Sequence, residues 1–172
     1  MIKNPTGDRW EKRLNIKTLS SRHEKDELID YGSGKGRVGF FMTNVTGCRS
    51  IGVEFDPRMH AAAEENLSNY MGKRERVSFA LENAENYRIQ GANRFYFFNP
   101  FSVRILKSVL SRIYESYYEN PRRILLFFYY ALDAYVSELM NDELLIYEGE
   151  IDCVDLFHNA DEKEKILIFS LG

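Results

Sequence analysis

Three glycines follow an aspartate in a stretch that has the composition of a ligand-binding turn. The stretch reads Asp30-Tyr31-Gly32-Ser33-Gly34-Lys35-Gly36. It follows the apolar pair Leu28-Ile29, typical of the end of a buried strand, and precedes a segment, Arg37 to Val45, with apolar residues at helical spacing. A strand, a glycine-rich turn and a helix in this order bring backbone amides close to a ligand. The spacing is GxGxG, and Arg37 stands where a dinucleotide-binding GxGxxG turn needs its third glycine.

A second acid, Glu54, follows the glycine turn at the end of the next predicted strand. Ser50 to Phe55 is predicted to be a buried strand that ends in Glu54. A carboxylate at this position can accept two charge-assisted hydrogen bonds from the hydroxyls of a ribose. The alternative is a solvated acid at a strand end, and the glycine turn upstream favours ribose binding. Asp56 and Pro57 then predict a helix start, with Gly72 as its stop.

A third candidate element is Phe97-Phe98-Asn99-Pro100-Phe101, at the end of a predicted fourth strand. Ligands of open α/β sheets bind at the carboxyl edge of the strands, so these residues are expected to meet them. The alternative is a strand that is ended by an Asn-Pro turn. Tyr129, Tyr130 and Asp133 fall at the same predicted edge, either as proton-transfer groups or as parts of the core and wall.

The elements that must position these residues alternate between strand and helix along the chain. This alternation predicts an α/β, doubly wound sheet, mostly parallel, with helices on both faces and an antiparallel C-terminal hairpin. The remaining predicted elements are strands at Arg76 to Leu81, Arg94 to Phe98 and Arg123 to Tyr130, a helix with the stripe Leu106, Leu110, Ile113 and Tyr117, a short helix at Ala131 to Met140, and hairpin strands at Ile151 to Phe157 and Lys165 to Phe169 around the turn His158 to Asp161.

The combination of DxGSGKGR, GVEFD and FFNPF resembles the motifs of class I S-adenosylmethionine-dependent methyltransferases, in particular small, mostly uncharacterised bacterial members. The resemblance implies a Rossmann-like fold with five parallel strands and a last strand that is inserted antiparallel. It also implies S-adenosylmethionine as the cofactor. The cofactor-binding residues it implies are Asp30, Gly32, Ser33, Gly34, Gly36, Glu54, Phe55, Asn83, Ala84 and Asn99.

Within this resemblance, Asn83 and Ala84 take the place of a loop that lies against the adenine ring. Asn99, Pro100 and Phe101 take the place of the catalytic motif of amino-group methyltransferases. In those enzymes the side-chain oxygen and a backbone carbonyl accept hydrogen bonds from the target amine, and an aromatic ring packs on the substrate. Only one proline follows Asn99, and Phe101 replaces the second, a departure that argues against a nucleobase acceptor.

The expected function is methyl transfer to a nitrogen of an acceptor that the sequence leaves open among small molecules, proteins and RNA. The alternative is a non-catalytic protein of the same fold that holds the cofactor or a partner. We expect one domain over residues 1–172, with a short helical cap at 1–26 and the Rossmann-like core at 27–172. Pro5-Thr6 and Trp10 to Leu19 correspond to the helix that precedes the glycine turn in relatives.

Composition narrows the class of protein. A chain of 172 residues with 44% apolar content suits one globular domain, and a net charge of −3 argues against a surface that binds nucleic acid throughout. The longest apolar run, Ile124 to Leu132, is too short to span a bilayer, and the N-terminus lacks the apolar core of a signal peptide. Two cysteines predict reduced thiols in a cytoplasmic protein. The three histidines show no metal-ligand spacing with them, so no metal is expected.

Overall fold

The computed structural model describes residues 25–154 and 161–172. The predicted N-terminal cap, with Pro5-Thr6 and Trp10 to Leu19, lies outside the described residues except for its last two positions. The predicted strand end at 155–157 and most of the turn that follows it are also outside them.

The described residues form one mixed sheet with four α-helices around it. The order of the strands across the sheet is β3-β2-β1-β4-β5-β7-β6. The five strands β1 to β5 pair in parallel, and β7 runs antiparallel to both β5 and β6. This confirms the predicted α/β sheet, mostly parallel with an antiparallel C-terminal hairpin. The elements are β1 (Glu27–Tyr31), α1 (Arg37–Thr46), β2 (Arg49–Glu54), α2 (Pro57–Ser68), a 3₁₀ turn (Arg74–Arg76), β3 (Val77–Leu81), β4 (Arg94–Phe97), α3 (Val103–Glu119), β5 (Ile124–Tyr129), α4 (Asp133–Met140), β6 (Ile146–Asp152) and β7 (Lys165–Leu171).

The helices cover opposite faces of the sheet because successive strand residues point to alternate faces. On one face, Ser50 of β2 meets α1: its hydroxyl lies 2.7 Å from the Thr43 hydroxyl and donates to the Gly39 carbonyl at 3.1 Å. On the other face, aromatic residues of β1, β4 and β5 pack with α3, and the rings of Phe97 and Phe128 stack at 4.6 Å. The predicted stripe on α3 is therefore a core face, with Leu106, Leu110 and Ile113 buried.

Helix α2 begins as the sequence predicts. The Asp56 carboxylate accepts a hydrogen bond from the backbone amide of Arg58 at 2.8 Å, and Pro57 is the first helical residue. The helix ends at Ser68, closed by Asn69, four residues before the glycine that was predicted to stop it.

The first strand of the hairpin differs from the prediction. Strand β6 begins at Ile146, five residues before the predicted start at Ile151, and ends at Asp152. It is an edge strand whose first residues are exposed, so it lacks the alternation of apolar and polar residues that marks a half-buried strand. Its pairing with β7 also shifts register at Gly149, which has a φ of 134°.

Candidate functional site

The glycine turn connects β1 to α1, and all three of its glycines have left-handed backbone angles. The φ values are 72° at Gly32, 53° at Gly34 and 83° at Gly36. A Cβ atom on Gly32 would lie 2.5 Å from the Cβ of Pro100, and one on Gly36 would lie 2.3 Å from the ring of Phe79. Those two positions need glycine because the protein itself fills the space. A Cβ on Gly34 would meet no atom of residues 25–154 and 161–172 within 4 Å, so among these residues the backbone faces open space that a ligand can enter.

The carboxylate of Glu54 links the glycine turn to the end of β2. One oxygen accepts a hydrogen bond from the Gly34 amide at 2.9 Å, and the other accepts from the amides of Phe55 and Asp56 at 2.9 Å each. Glu54 is 8% exposed. Since an ionised carboxylate offers about four acceptor positions, it can still accept from a ligand hydroxyl beside Gly34.

Asp30 lies beside Glu54 on the neighbouring strand. Asp30 pairs with Gly52 in the parallel register, so Asp30 and Glu54, two residues further along β2, point to the same face of the sheet. Burial, followed by the charge of Glu54, raises the pKa of Asp30 from 3.8 to about 8. Asp30 therefore holds its proton at neutral pH.

The raised pKa of Asp30 predicts a stability that falls with pH. Between pH 4 and 8 the unfolded chain has lost this proton and the folded protein keeps it, so the contribution of Asp30 to the free energy of unfolding falls by up to about 1.4 kcal/mol per pH unit. Asp30→Asn is neutral at every pH and should gain stability over the wild type as pH rises. Urea unfolding of both proteins at pH 5 and pH 8 measures the difference.

Asp56→Asn is the matched control for that comparison. The hydrogen bonds from Arg58 lower the pKa of Asp56 to about 2, so its carboxyl is ionised at both pH values. Its difference from the wild type should be the same at pH 5 and pH 8. An Asp30→Asn difference that does not grow with pH would show that Asp30 is ionised in the folded protein.

The Asn-Pro element lies against the glycine turn. Pro100 packs on Gly32, which brings the ends of β1 and β4 together. Asn99 has a φ of 43°, a left-handed angle that asparagine tolerates better than most residues. Its amide nitrogen donates to the Tyr130 carbonyl at 2.6 Å, and its amide oxygen accepts from the Leu132 amide at 3.3 Å. The oxygen keeps one further acceptor position for a substrate.

The two phenylalanines around this element differ in exposure. Phe101 is half-buried and contacts the rings of Tyr31 and Phe97 edge-on, at 6.3 and 6.2 Å, and its carbonyl accepts from the Tyr135 hydroxyl at 2.6 Å. Phe98 is 56% exposed because β4 ends at Phe97, one residue earlier than predicted. Sequence reasoning assigned the substrate-facing ring to Phe101 and missed Phe98, which it placed inside a buried strand.

Phe98 belongs to an aromatic cluster that also includes Tyr129 and Tyr130. The Phe98 ring centroid lies 4.9 Å from that of Tyr129 and 6.4 Å from that of Tyr130. Both tyrosine hydroxyls donate to carboxylates, Tyr129 to Glu164 and Tyr130 to Asp161. Burial raises the pKa of Tyr129, and the hydrogen bond to Asp161 raises that of Tyr130.

These contacts argue against the proton-transfer role that the sequence suggested for this group. Both phenols stay protonated at neutral pH, so neither can take a proton from an acceptor. Asp133, the third group for which this role was suggested, is 90% exposed and forms an ion pair with Lys163 at 3.0 Å.

The predicted adenine loop follows β3 at the same edge. The side-chain oxygen of Asn83 accepts from the Glu85 amide at 3.0 Å, and the half-buried Ala84 packs on the core. Phe55 directly follows β2 and is 77% exposed, and Leu81 is the last residue of the neighbouring strand β3 and is 50% exposed. Leu81 was absent from the sequence candidates because a strand-end leucine carries no signal of its own. The two side chains present apolar surface at this edge of the sheet.

A surface depression of about 560 Å³ lies between α4 and the β6–β7 hairpin, lined by residues that include Val136, Tyr147 and Leu167. Asp133, one of the proton-transfer groups that the sequence suggested, also lines it, whereas the predicted cofactor-binding residues and the Asn-Pro element do not. Within residues 25–154 and 161–172, no helix has the length and apolar composition to cross a bilayer. The same residues bring together no group of three or more His, Cys, Asp or Glu side chains that could hold a metal ion.

Solved structures share this fold at low sequence identity. The glycopeptide N-methyltransferase MtfA, complexed with S-adenosylhomocysteine, aligns with a TM-score of 0.72 at 12% identity, over 99% of this chain and 91% of its own. An RNA methyltransferase from Salinibacter ruber, in complex with the same compound, aligns with a TM-score of 0.58 at 20% identity, over 99% and 93%. An rRNA methylase from Streptococcus thermophilus aligns with a TM-score of 0.60 at 14% identity, over 99% and 98%.

The sequence matches no protein-family model and no curated protein. The structural likenesses establish the fold, which is the Rossmann-like fold of S-adenosylmethionine-dependent methyltransferases.

Proposed function

We propose that this protein is a cytoplasmic S-adenosylmethionine-dependent methyltransferase that acts on a nitrogen atom. The observation that carries the proposal is the pair formed by the open backbone of Gly34 and the carboxylate of Glu54, hydrogen-bonded at 2.9 Å. This pair combines space for a ligand with an acceptor for its hydroxyls. Cys48 and Cys153 are buried and form no disulfide with each other, which suits the reducing conditions of the cytoplasm.

The residues at this edge fit each part of the proposed cofactor. Glu54 would accept from the ribose hydroxyls, and the exposed side chains of Phe55 and Leu81 would contact the adenine ring beside Asn83. The hydroxyl of Ser33 is buried in the turn and has no hydrogen-bond partner in the part of the chain that the structure describes, which leaves a donor available there. Asp30 would favour a cationic group, since an approaching positive charge lowers the pKa of a buried carboxyl.

Asn99 is the residue proposed to orient the acceptor. Pro100 packs on Gly32, so its neighbour Asn99 stands at the same edge of the sheet as the turn that would hold the methyl donor. S-adenosylmethionine supplies a methyl group on a sulfonium, so the nitrogen lone pair forms the new N–C bond while the C–S electron pair goes to sulfur. The chain's task is then to align and desolvate the reactants. The solved neighbours support methyl transfer as a class, and MtfA is named as an N-methyltransferase.

A second candidate function is cofactor or partner binding without turnover. The observation that favours it is the engagement of both amide atoms of Asn99 with the backbone of Tyr130 and Leu132. In that case Asn99 would be a structural link between the ends of β4 and β5. Binding measurements do not separate the two functions, whereas turnover does.

We expect Gly34→Val to weaken binding of S-adenosylmethionine and S-adenosylhomocysteine by at least about ten-fold. A β-branched residue at this positive φ is strained, and its side chain would enter the open space in front of the turn. Calorimetry with both compounds measures the loss. Gly91→Val is the control, because Gly91 is exposed and none of the described residues has an atom within 4 Å of its Cβ position. The affinity of the wild type for both compounds should be the same with and without a chelator of divalent metal ions.

Absence of binding by the wild type would refute the proposed function. If binding is present, incubation with methyl-labelled cofactor and cell extract separated into RNA, protein and small-molecule fractions tests turnover. No labelled product in any fraction would favour the non-catalytic alternative.

A further inference from the structure

Phe98, Tyr129 and Tyr130 form what we call the aromatic triad. The three ring centroids lie between 4.9 and 6.4 Å from one another. The triad adjoins the proposed acceptor-orienting residue, because Phe98 precedes Asn99 in the chain and the Asn99 amide donates to the Tyr130 carbonyl. More than half of the Phe98 side chain is open to solvent at this edge. A substrate that reaches Asn99 would therefore contact aromatic rings.

Two carboxylates bind the tyrosines of the triad and favour a positive charge on the ligand. Glu164 and Asp161 accept hydrogen bonds from the two tyrosine hydroxyls. The hydrogen bond from Tyr130 is the first cause of a lowered pKa at Asp161, so this carboxyl is ionised at neutral pH. Aromatic faces attract cations through the ring quadrupole, and a nearby carboxylate adds to that attraction.

The lysines of the adjoining hairpin are already paired. Lys163 contacts Asp133 at 3.0 Å, and Lys165 contacts Glu150 at 3.1 Å. Binding of a nucleic acid depends chiefly on cations that neutralise phosphates, and this part of the described surface offers them in ion pairs with acids. The local charge therefore favours a cationic acceptor over a phosphate-bearing one.

We propose that the aromatic triad, with Asp161 and Glu164, recognises an ammonium group, and that the acceptor is an alkylamine that is protonated in solution. The proposal rests on the proposed function, since it names the substrate class of the same site. Before transfer, the ammonium releases one proton to solvent, which frees the nitrogen lone pair for the N–C bond. The product is a methylated amine that regains a positive charge with its new N–C bond. The amine belongs either to a free alkylamine or to a lysine-type side chain of a peptide, and the same chemistry serves both.

The test measures the binding of matched pairs of small probes to the protein saturated with S-adenosylhomocysteine. Ligand-observed NMR titration gives the affinity of each probe. Nα-acetyl-lysine methylamide is compared with its norleucine analogue, which has the same chain without the ammonium, and n-butylamine is compared with 1-butanol. We expect each cation to bind at least about five-fold more tightly than its neutral partner. Tighter binding of the lysine amide than of butylamine identifies a peptide as the source, and equal binding identifies a free amine.

Phe98→Leu should weaken cation binding by roughly two- to five-fold, the scale of one exposed cation–π contact. It keeps an apolar side chain at a partly exposed position, so folding should be retained. Tyr118→Leu is the control, because Tyr118 is 65% exposed on α3 and outside the triad. Tyr130→Phe keeps the ring and removes the hydrogen bond to Asp161, and it should retain most of the cation binding.

Three outcomes overturn the proposal. The first is that a protein that binds S-adenosylhomocysteine binds the cation and its neutral partner equally, or binds neither of them. This result leaves the proposed function in place. The second is tight binding of a single-stranded RNA oligomer that Phe98→Leu abolishes, which assigns the triad to base stacking. The third is failure of S-adenosylhomocysteine itself to bind, which removes the proposed function and this inference with it.

Discussion

Glu54→Ala is expected to weaken binding of S-adenosylmethionine and S-adenosylhomocysteine by about one to two orders of magnitude. A charge-assisted hydrogen bond to a ribose hydroxyl contributes roughly 1.5–3 kcal/mol, and the three backbone amides that Glu54 already binds leave about one of its acceptor positions for such a bond. It also releases the Gly34 amide, which Glu54 holds at 2.9 Å, so the turn loses part of its preorganisation. Calorimetry on the wild type and the variant measures the change.

Two comparisons separate ribose binding from a general weakening of the turn. The loss should be similar for 5′-methylthioadenosine, because this compound keeps the ribose and the adenine and lacks the amino-acid part. Glu65→Ala removes an exposed acid on α2 and should leave affinity unchanged. Unchanged affinity in Glu54→Ala would refute the ribose assignment, even if the glycine turn binds the rest of the cofactor.

Much of the fold was predictable because the central strands are buried on both faces. Such strands are near-continuous apolar runs, and the helices between them carry a clear periodicity, so strands β1 to β5 were placed to within a residue or two. The start of β6 was missed for the opposite reason. An exposed edge strand with a bulge at Gly149 is held by its pairing with β7 and not by its own pattern.

The candidate site shows the same division between local and tertiary information. The glycine turn, Glu54 and the Asn-Pro element are local motifs, and their chemistry can be read from residue types and spacing. The contact between Gly32 and Pro100 and the raised pKa of Asp30 depend on which strands become neighbours. The exposure of Phe98 depends on the residue at which β4 ends, and strand boundaries are the least certain part of a sequence-based prediction.

Asn99→Ala is expected to cut methyl transfer by roughly two orders of magnitude while changing cofactor affinity by no more than a few fold. This is the scale of losing one oriented polar contact in a transition state. The expected selectivity has a structural reason: Pro100 packs on the glycine turn, whereas the Asn99 amide bonds with the backbone of Tyr130 and Leu132. Once an acceptor is found, single-turnover rates at saturating cofactor separate transfer from binding.

The backbone at Asn99 requires matched variants, since alanine is strained at a φ of 43°. Asn99→Gly removes the amide without that strain, so equal losses in the glycine and alanine variants would assign the effect to the side chain. Asn99→Asp keeps an acceptor oxygen and replaces the donor to the Tyr130 carbonyl, so it should retain transfer if the oxygen orients the acceptor. If Asn99→Gly transfers methyl groups at the wild-type rate, the Asn-Pro element is a turn that joins the ends of β4 and β5. The nitrogen-acceptor assignment would then lose its support, although the cofactor site would not.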